Sequence, residues 1–114
     1  MAALTDITWQ QLEAASGLSF ISSDSSGLII RLQPLTGSNS TNKNSPGVVQ
    51  ALFKLREFAA IAQVSANQGK VIGERLASFP PSSSGTAVDG YVIQAGQIIA
   101  KNPLSNTGLG GVNN

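Results

Sequence analysis

The stretch that decides the fold is residues 46–67, PGVVQALFKLREFAAIAQVSAN. Val48, Leu52, Leu55, Ala59, Ala62 and Ala66 recur at spacings of 4, 3, 4, 3 and 4, one face of a helix with 3.6 residues per turn. Ala51, Leu55, Phe58, Ala62 and Ser65 run beside them, so the apolar stripe is wider than a single helix–sheet contact needs. Gln50, Lys54, Arg56, Glu57 and Gln63 form the polar remainder. Ser45-Pro46 reads as an N-cap followed by proline at the first helical position. Gly69, after Asn67-Gln68, takes the left-handed position past the C-terminus. The second half of the helix is nearly all alanine, and small side chains let another backbone come close. One face is therefore expected to cover a sheet while the Ala-rich flank meets another helix. The short helix at the N-terminus of the same chain is the alternative cover for that flank.

Upstream, Thr8-Trp9-Gln10-Gln11 fits a capping box with Thr8 as N-cap and Gln11 at the third helical position. Ile7 and Leu12 have the spacing of a hydrophobic staple, and Gly17 follows as a stop, which predicts a helix over 9–16. A hairpin comes next. Leu18, Phe20 and Ser22 alternate with Ser19, Ile21 and Ser23; Asp24-Ser25-Ser26-Gly27 supplies turn chemistry; Leu28, Ile30 and Leu32 then alternate with Ile29, Arg31 and Gln33. The period of two places Leu28, Ile30 and Leu32 toward a core, and Pro34 ends the strand or confines it to an edge. Residues 36–47, TGSNSTNKNSPG, read as a loop.

Downstream, strands are expected over Lys70–Phe79 and Thr86–Gln94, with a loop at Pro80–Gly85. Ala95-Gly96 is the expected tight turn, with a returning strand over Gln97–Lys101. The whole is an α+β layer fold: a short N-terminal helix, a β-hairpin, one long central helix and an antiparallel strand group, about four to five strands in all. Residues 1–101 form the single expected domain and 102–114 an extended tail.

The chemistry is narrowed by what is missing. The chain of 114 residues has no His and no Cys, and only seven Lys and Arg with six Asp and Glu. His is the side chain that titrates nearest neutrality, and Cys is the strongest intrinsic nucleophile. The charged fraction of 11% is under half the ~25% usual for soluble domains, so the surface repels neighbours weakly. The seven bases are scattered and no aromatics interleave with them, which argues against nucleic acid as a partner. No apolar run is long enough to span a membrane. The first residues carry neither a basic region nor a long apolar one, so no secretory signal is expected, and the chain is placed in the cytoplasm or, if viral, in the virion.

Local motifs carry little. Ser40-Thr41-Asn42-Lys43 has the Ser-x-x-Lys spacing but lies in a Ser/Asn loop rather than on a helix in a cleft. Gly108-Leu109-Gly110-Gly111 has no helix after it to hold a phosphate. Glu57 is three residues from Lys54, an ion-pair spacing. Glu74 and Asp89 would face each other if they sat on neighbouring strands, although each is more simply an exposed or Arg75-paired carboxylate. No catalytic, cofactor-binding or metal residues are expected.

The leading expectation is a non-enzymatic structural protein that packs into a larger homo- or hetero-oligomeric assembly, with self-association foremost. A phage or virus particle component of decoration, neck or tail type is one concrete form. Interface candidates are Trp9, Asn42, Ala59, Ala60, Ala62, Ala66, Leu104 and Leu109, with the termini and the 36–47 loop as arms reaching neighbours. The alternative is a small cytoplasmic ligand-binding or regulatory module with a pocket between the long helix and the sheet, its polar contacts sought at Arg31, Arg75 and Tyr91. An enzyme working with Lys, Tyr or carboxylates alone is the third class, and it needs two such groups converging in a cleft.

Overall fold

The structure, a computed structural model, describes residues 6–37 and 42–100. The chain is α+β: α1 (Trp9–Ser16), β1 (Ile21–Asp24), β2 (Gly27–Ile30), α2 (Gln33–Thr36), α3 (Val48–Asn67), a 3₁₀ turn (Ile72–Glu74), β3 (Ser83–Val88) and β4 (Tyr91–Ala95). The strands form two separate antiparallel hairpins, β1–β2 and β3–β4.

Local chemistry explains the first half. The Thr8 hydroxyl accepts the Gln11 N–H at 3.1 Å and the Gln11 side chain accepts the Thr8 N–H at 2.8 Å, closing the capping box. Gly17 ends α1 at φ 71, a left-handed conformation that costs glycine little. The Glu13 carboxylate then accepts the N–H groups of both Phe20 and Ile21, at 3.0 and 2.8 Å, fastening the start of the hairpin to α1. Asp24 accepts the Ser26 N–H and turns the chain between β1 and β2. The Ser-Pro N-cap expected for α3 is corrected: Gly47, at φ 121, occupies that position without a side-chain bond.

The core lies where α1, the hairpin and α2 meet one face of α3. Leu12, Phe20, Leu35, Ala51 and Ala59 are buried together, with Ile7, Ile21, Ile30, Leu55, Phe58 and Phe79 packed around them. The Phe20 and Phe58 rings lie 6.4 Å apart, within the range of favourable tilted pairs. The Ala-rich flank of α3 is covered by α1 of the same chain, with Ala59 and Ala62 buried. Of the residues expected to face inward from β2, only Ile30 does. It pairs in register with Ile21, and both pack on the core, whereas Leu28 lies at the turn end of the ribbon and Leu32 at the entry to α2, and both are exposed. Pro34 ends the strand by starting α2, whose Leu35 is 2% exposed, a core residue that falls between the expected strand and the expected loop.

The second half departs further from expectation. Residues 70–79 are not a strand: they make the 3₁₀ turn and then run on without a sheet partner. The tight turn is Asp89-Gly90 rather than Ala95-Gly96. Both residues have positive φ, 51 and 83, as a two-residue hairpin loop requires, and residues 97–100 form no strand. The first strand of this hairpin starts at Ser83, inside the expected loop, and carries one extra residue between Ser84 and Ala87. The expected tail, 102–114, lies outside the described residues.

Candidate functional site: an arm held on the central helix

Residues 70–100 form an arm, and α3 holds it through side chains. Gln63 donates from Nε2 to the Phe79 carbonyl at 3.1 Å and accepts the Phe79 N–H on Oε1 at 3.0 Å. Asn67, one turn on, does the same to Leu76, donating from Nδ2 at 2.8 Å and accepting on Oδ1 at 2.7 Å. Each amide thus satisfies both backbone groups of one residue, as a neighbouring strand would. Residue 78 extends the pattern on the other side, where its carbonyl accepts the Ile99 N–H at 2.8 Å.

Arg56, two turns before Gln63 on the same face, fastens the far end. It is 3% exposed, and a guanidinium so buried needs its donors satisfied. Nε donates to the Gln97 carbonyl at 3.0 Å, the terminal nitrogens reach the Pro80 carbonyl and the Glu57 carboxylate, and Glu57 also accepts the Ser82 hydroxyl at 3.0 Å. The chain passes so close that a Cβ on Gly96 would lie 2.5 Å from Arg56 Nε. Position 96 is therefore glycine for lack of room. The expected Glu57–Lys54 pair is replaced by Glu57–Arg56 because the guanidinium is fixed in place by two carbonyls.

Two concavities flank the arm. A groove of about 660 Å³ runs between α3 (Ala60, Ile61, Val64) and the arm (Leu76, Ala77, Pro80). A second cavity, about 370 Å³, lies between α2, α3 and β4, lined by Leu35, Val49, Phe53, Val92 and Ile93 with Thr36, Gln50, Lys54 and Gln94 among them. Apart from that cavity β4 is open to solvent: Tyr91, Val92 and Ile93 are 73, 62 and 55% exposed. Neither strand contains a charged residue or a proline. Val48, Val49 and Leu52 on α3, and Val71 and Ile72 after it, are likewise exposed.

The interface candidates read from the sequence fall in different settings. Trp9 is 46% exposed on the first turn of α1, and Asn42 is exposed. Ala59 and Ala62 are buried inside the chain. Ala60 lines the groove beside the arm, and Ala66 a crevice between α1 and α3 with Ala15. Leu104 and Leu109 lie outside the described residues. Arg31, Arg75 and Tyr91 do not converge: Arg31 donates to the Ser19 carbonyl, Arg75 to the Lys70 carbonyl, and Tyr91 projects from the ribbon. Glu74 sits in the 3₁₀ turn and Asp89 at the hairpin tip, so they are not cross-strand neighbours.

Arg56, Gln63 and Asn67 were missed as a set, although with Ala60 they fall at helical spacings of 4, 3 and 4. That spacing, which puts the three side chains on one face of α3, was the signal the sequence carried. Among the described residues, no three His, Cys, Asp or Glu side chains come together in a group that could hold a metal ion. Among the same residues, no helix is long and apolar enough to cross a membrane. No protein-family model matches the chain, and no curated protein or solved structure is significantly similar to it.

Proposed function

We propose that this chain is a non-enzymatic structural protein that works by packing against other protein chains in a larger assembly. The observation that carries the reading is the β3–β4 ribbon, an uncharged, proline-free two-stranded sheet whose β4 is exposed along its whole length. A lone two-stranded hairpin is at best marginally stable in water. Proteins that stay apart blunt such edges with charges, proline or a covering element. This ribbon has no charge or proline along its strands, its one edge device being the extra residue in β3, and its Tyr91, Val92 and Ile93 offer the aromatic and branched side chains that pack well in a sheet. The low charge of the whole chain removes the repulsion that would otherwise keep copies or partners apart. A component of a virus or phage particle is a concrete form of this role. Light scattering across a concentration series tests it: association is expected, weakened by Val92→Lys, a change on a side chain that is 62% exposed in the single chain. A strictly monomeric species in every mixture would overturn it.

The cavity of about 370 Å³ between α3 and β4 favours a second reading, a module that binds a small, mostly apolar ligand. Phe53→Trp tests this. It is expected to fill the cavity and abolish the thermal stabilisation given by an apolar dye such as anilinonaphthalene sulfonate. Stabilisation that survives the substitution would remove the cavity as the site.

A further inference from the structure

We infer that the arm, residues 70–100, exchanges between copies, so that the arm of one chain seats on α3 of a second copy. The inference rests on the assembly reading above and names its partner. The chemistry of the occupant is set by the seat, which is built for this segment. Gln63 and Asn67 grip the backbone of Phe79 and Leu76, Arg56 reaches the Pro80 and Gln97 carbonyls, and Gly96 lets the chain pass the guanidinium. An arm from a second copy presents the same atoms at the same positions. Exchange therefore keeps every one of these contacts and alters only the connection between α3 and the arm.

That connection is Gln68–Lys70, where Gly69 at φ 82 folds the chain back after the last turn of α3. Straightening it carries the arm away from its own helix. A second observation points to the same place. Val71 and Ile72, immediately beyond the hinge, are 64 and 81% exposed. In an exchanged pair the two connecting segments cross about a twofold axis, and these four side chains are the ones brought together. The single chain leaves them in water, and the exchanged pair gives them a cover.

Because the chain has no cysteine, single thiols can be placed without interference. Ala60 and Ala77 line the two sides of the groove between α3 and the arm and take no part in the grip. A chain carrying both Ala60→Cys and Ala77→Cys establishes that a short bismaleimide bridges the two positions. The two single variants are then mixed at high concentration, unfolded and refolded together, and treated with the same reagent. A covalent dimer is expected, well above the yield from Ala60→Cys mixed with Ser26→Cys at the tip of the first hairpin. No dimer above that control overturns the exchange. If light scattering still shows association, the assembly reading survives without it; if the chain stays monomeric, both fall. A second variant avoids thiols. Val71→Asp with Ile72→Asp changes side chains exposed in the single chain, and is expected to weaken the dimer about tenfold or more by setting like charges together at the crossing. An unchanged dimer equilibrium overturns the proposal.

Discussion

Replacing Gln63 by leucine tests whether the arm is held by backbone-directed amides or by burial alone. Gln63 is 8% exposed and makes two hydrogen bonds, 3.0 and 3.1 Å, to the two backbone groups of Phe79. Each neutral bond contributes about 1 kcal/mol net, and a part-buried N–H and C=O left without partners adds to the cost. Phe79 is half-buried, so water recovers some of the loss. The sum is about 2 to 3 kcal/mol, a factor of about 30 to 150 in the opening of residue 79. Hydrogen exchange followed by NMR reads this directly. The Phe79 amide is expected to exchange faster by that factor, while the Leu12 amide, bonded to the Thr8 carbonyl within the capped start of α1, is expected to keep its rate. Gln63→Glu separates hydrogen bonding from packing. It keeps the acceptor for the Phe79 N–H but turns a carboxylate toward the Phe79 carbonyl. Burial and that carbonyl raise the introduced group's pKa above the unfolded value of about 4.3. A raised folded pKa means stability present at low pH and lost as pH rises through it. The deficit of Gln63→Glu relative to the natural chain is thus expected to be largest at neutral pH, to shrink as pH falls through the raised folded pKa, and to level off below about pH 4. That of Gln63→Leu should not follow pH. If the Phe79 amide exchanges equally fast in all three chains, the amide grip does not hold the arm.

Three further outcomes follow from the packing. Gly96→Ala sets a methyl 2.5 Å from the Arg56 Nε of a guanidinium fixed on three sides, and is expected to destabilise the chain by about 1–3 kcal/mol in urea unfolding. Leu35→Ala opens a cavity at a side chain that is 2% exposed, and a loss of about 2–5 kcal/mol is expected in thermal melts followed by circular dichroism. Thr8→Ala removes the α1 cap at a cost of about 1 kcal/mol, measured through the fluorescence of the adjacent Trp9 during unfolding.

The elements legible in the sequence are those decided within a few residues. Thr8 and Gln11 close their box across one turn, Asp24 and Gly27 make a turn from their own side chain and backbone, and α3 follows its period. Asp89-Gly90 was equally local, yet the alternation running through residues 86–94 hid it, since a two-residue hairpin loop barely interrupts a period of two. Leu28 misled for another reason: alternation gives a strand two faces but does not say which one has a body to lie on. The attachment of the arm was not legible because no ladder joins it to the body. Its attachments join residues 9 to 41 positions apart, from amides and a guanidinium that a helix pattern assigns to solvent. The Ala-rich flank of α3 announced that a helix packs there; only the structure shows that α1 of the same chain does so.

How the arm is fastened bears on what it can do. A strand in a sheet is held by successive backbone bonds that share one geometry and order together. Here the grips are separate side chains at positions 56, 63 and 67, each holding a different point of the arm. Such grips can open one at a time, and none depends on the side chains of the residues it holds. Past them, β4 gains little cover from the body: all five of its residues are exposed, and it meets the body only along the cavity shared with α2 and α3. In the proposed assembly the second hairpin is ordered by what covers Tyr91, Val92 and Ile93, while α1, the first hairpin and α3 share a core on which the arm packs Phe79. The arm is thus held at separate points, and in the proposed assembly another chain would cover what the body leaves exposed. The scarcity of charge fits the proposed assembly, in which a lysine on β4 would place a charge within the contact.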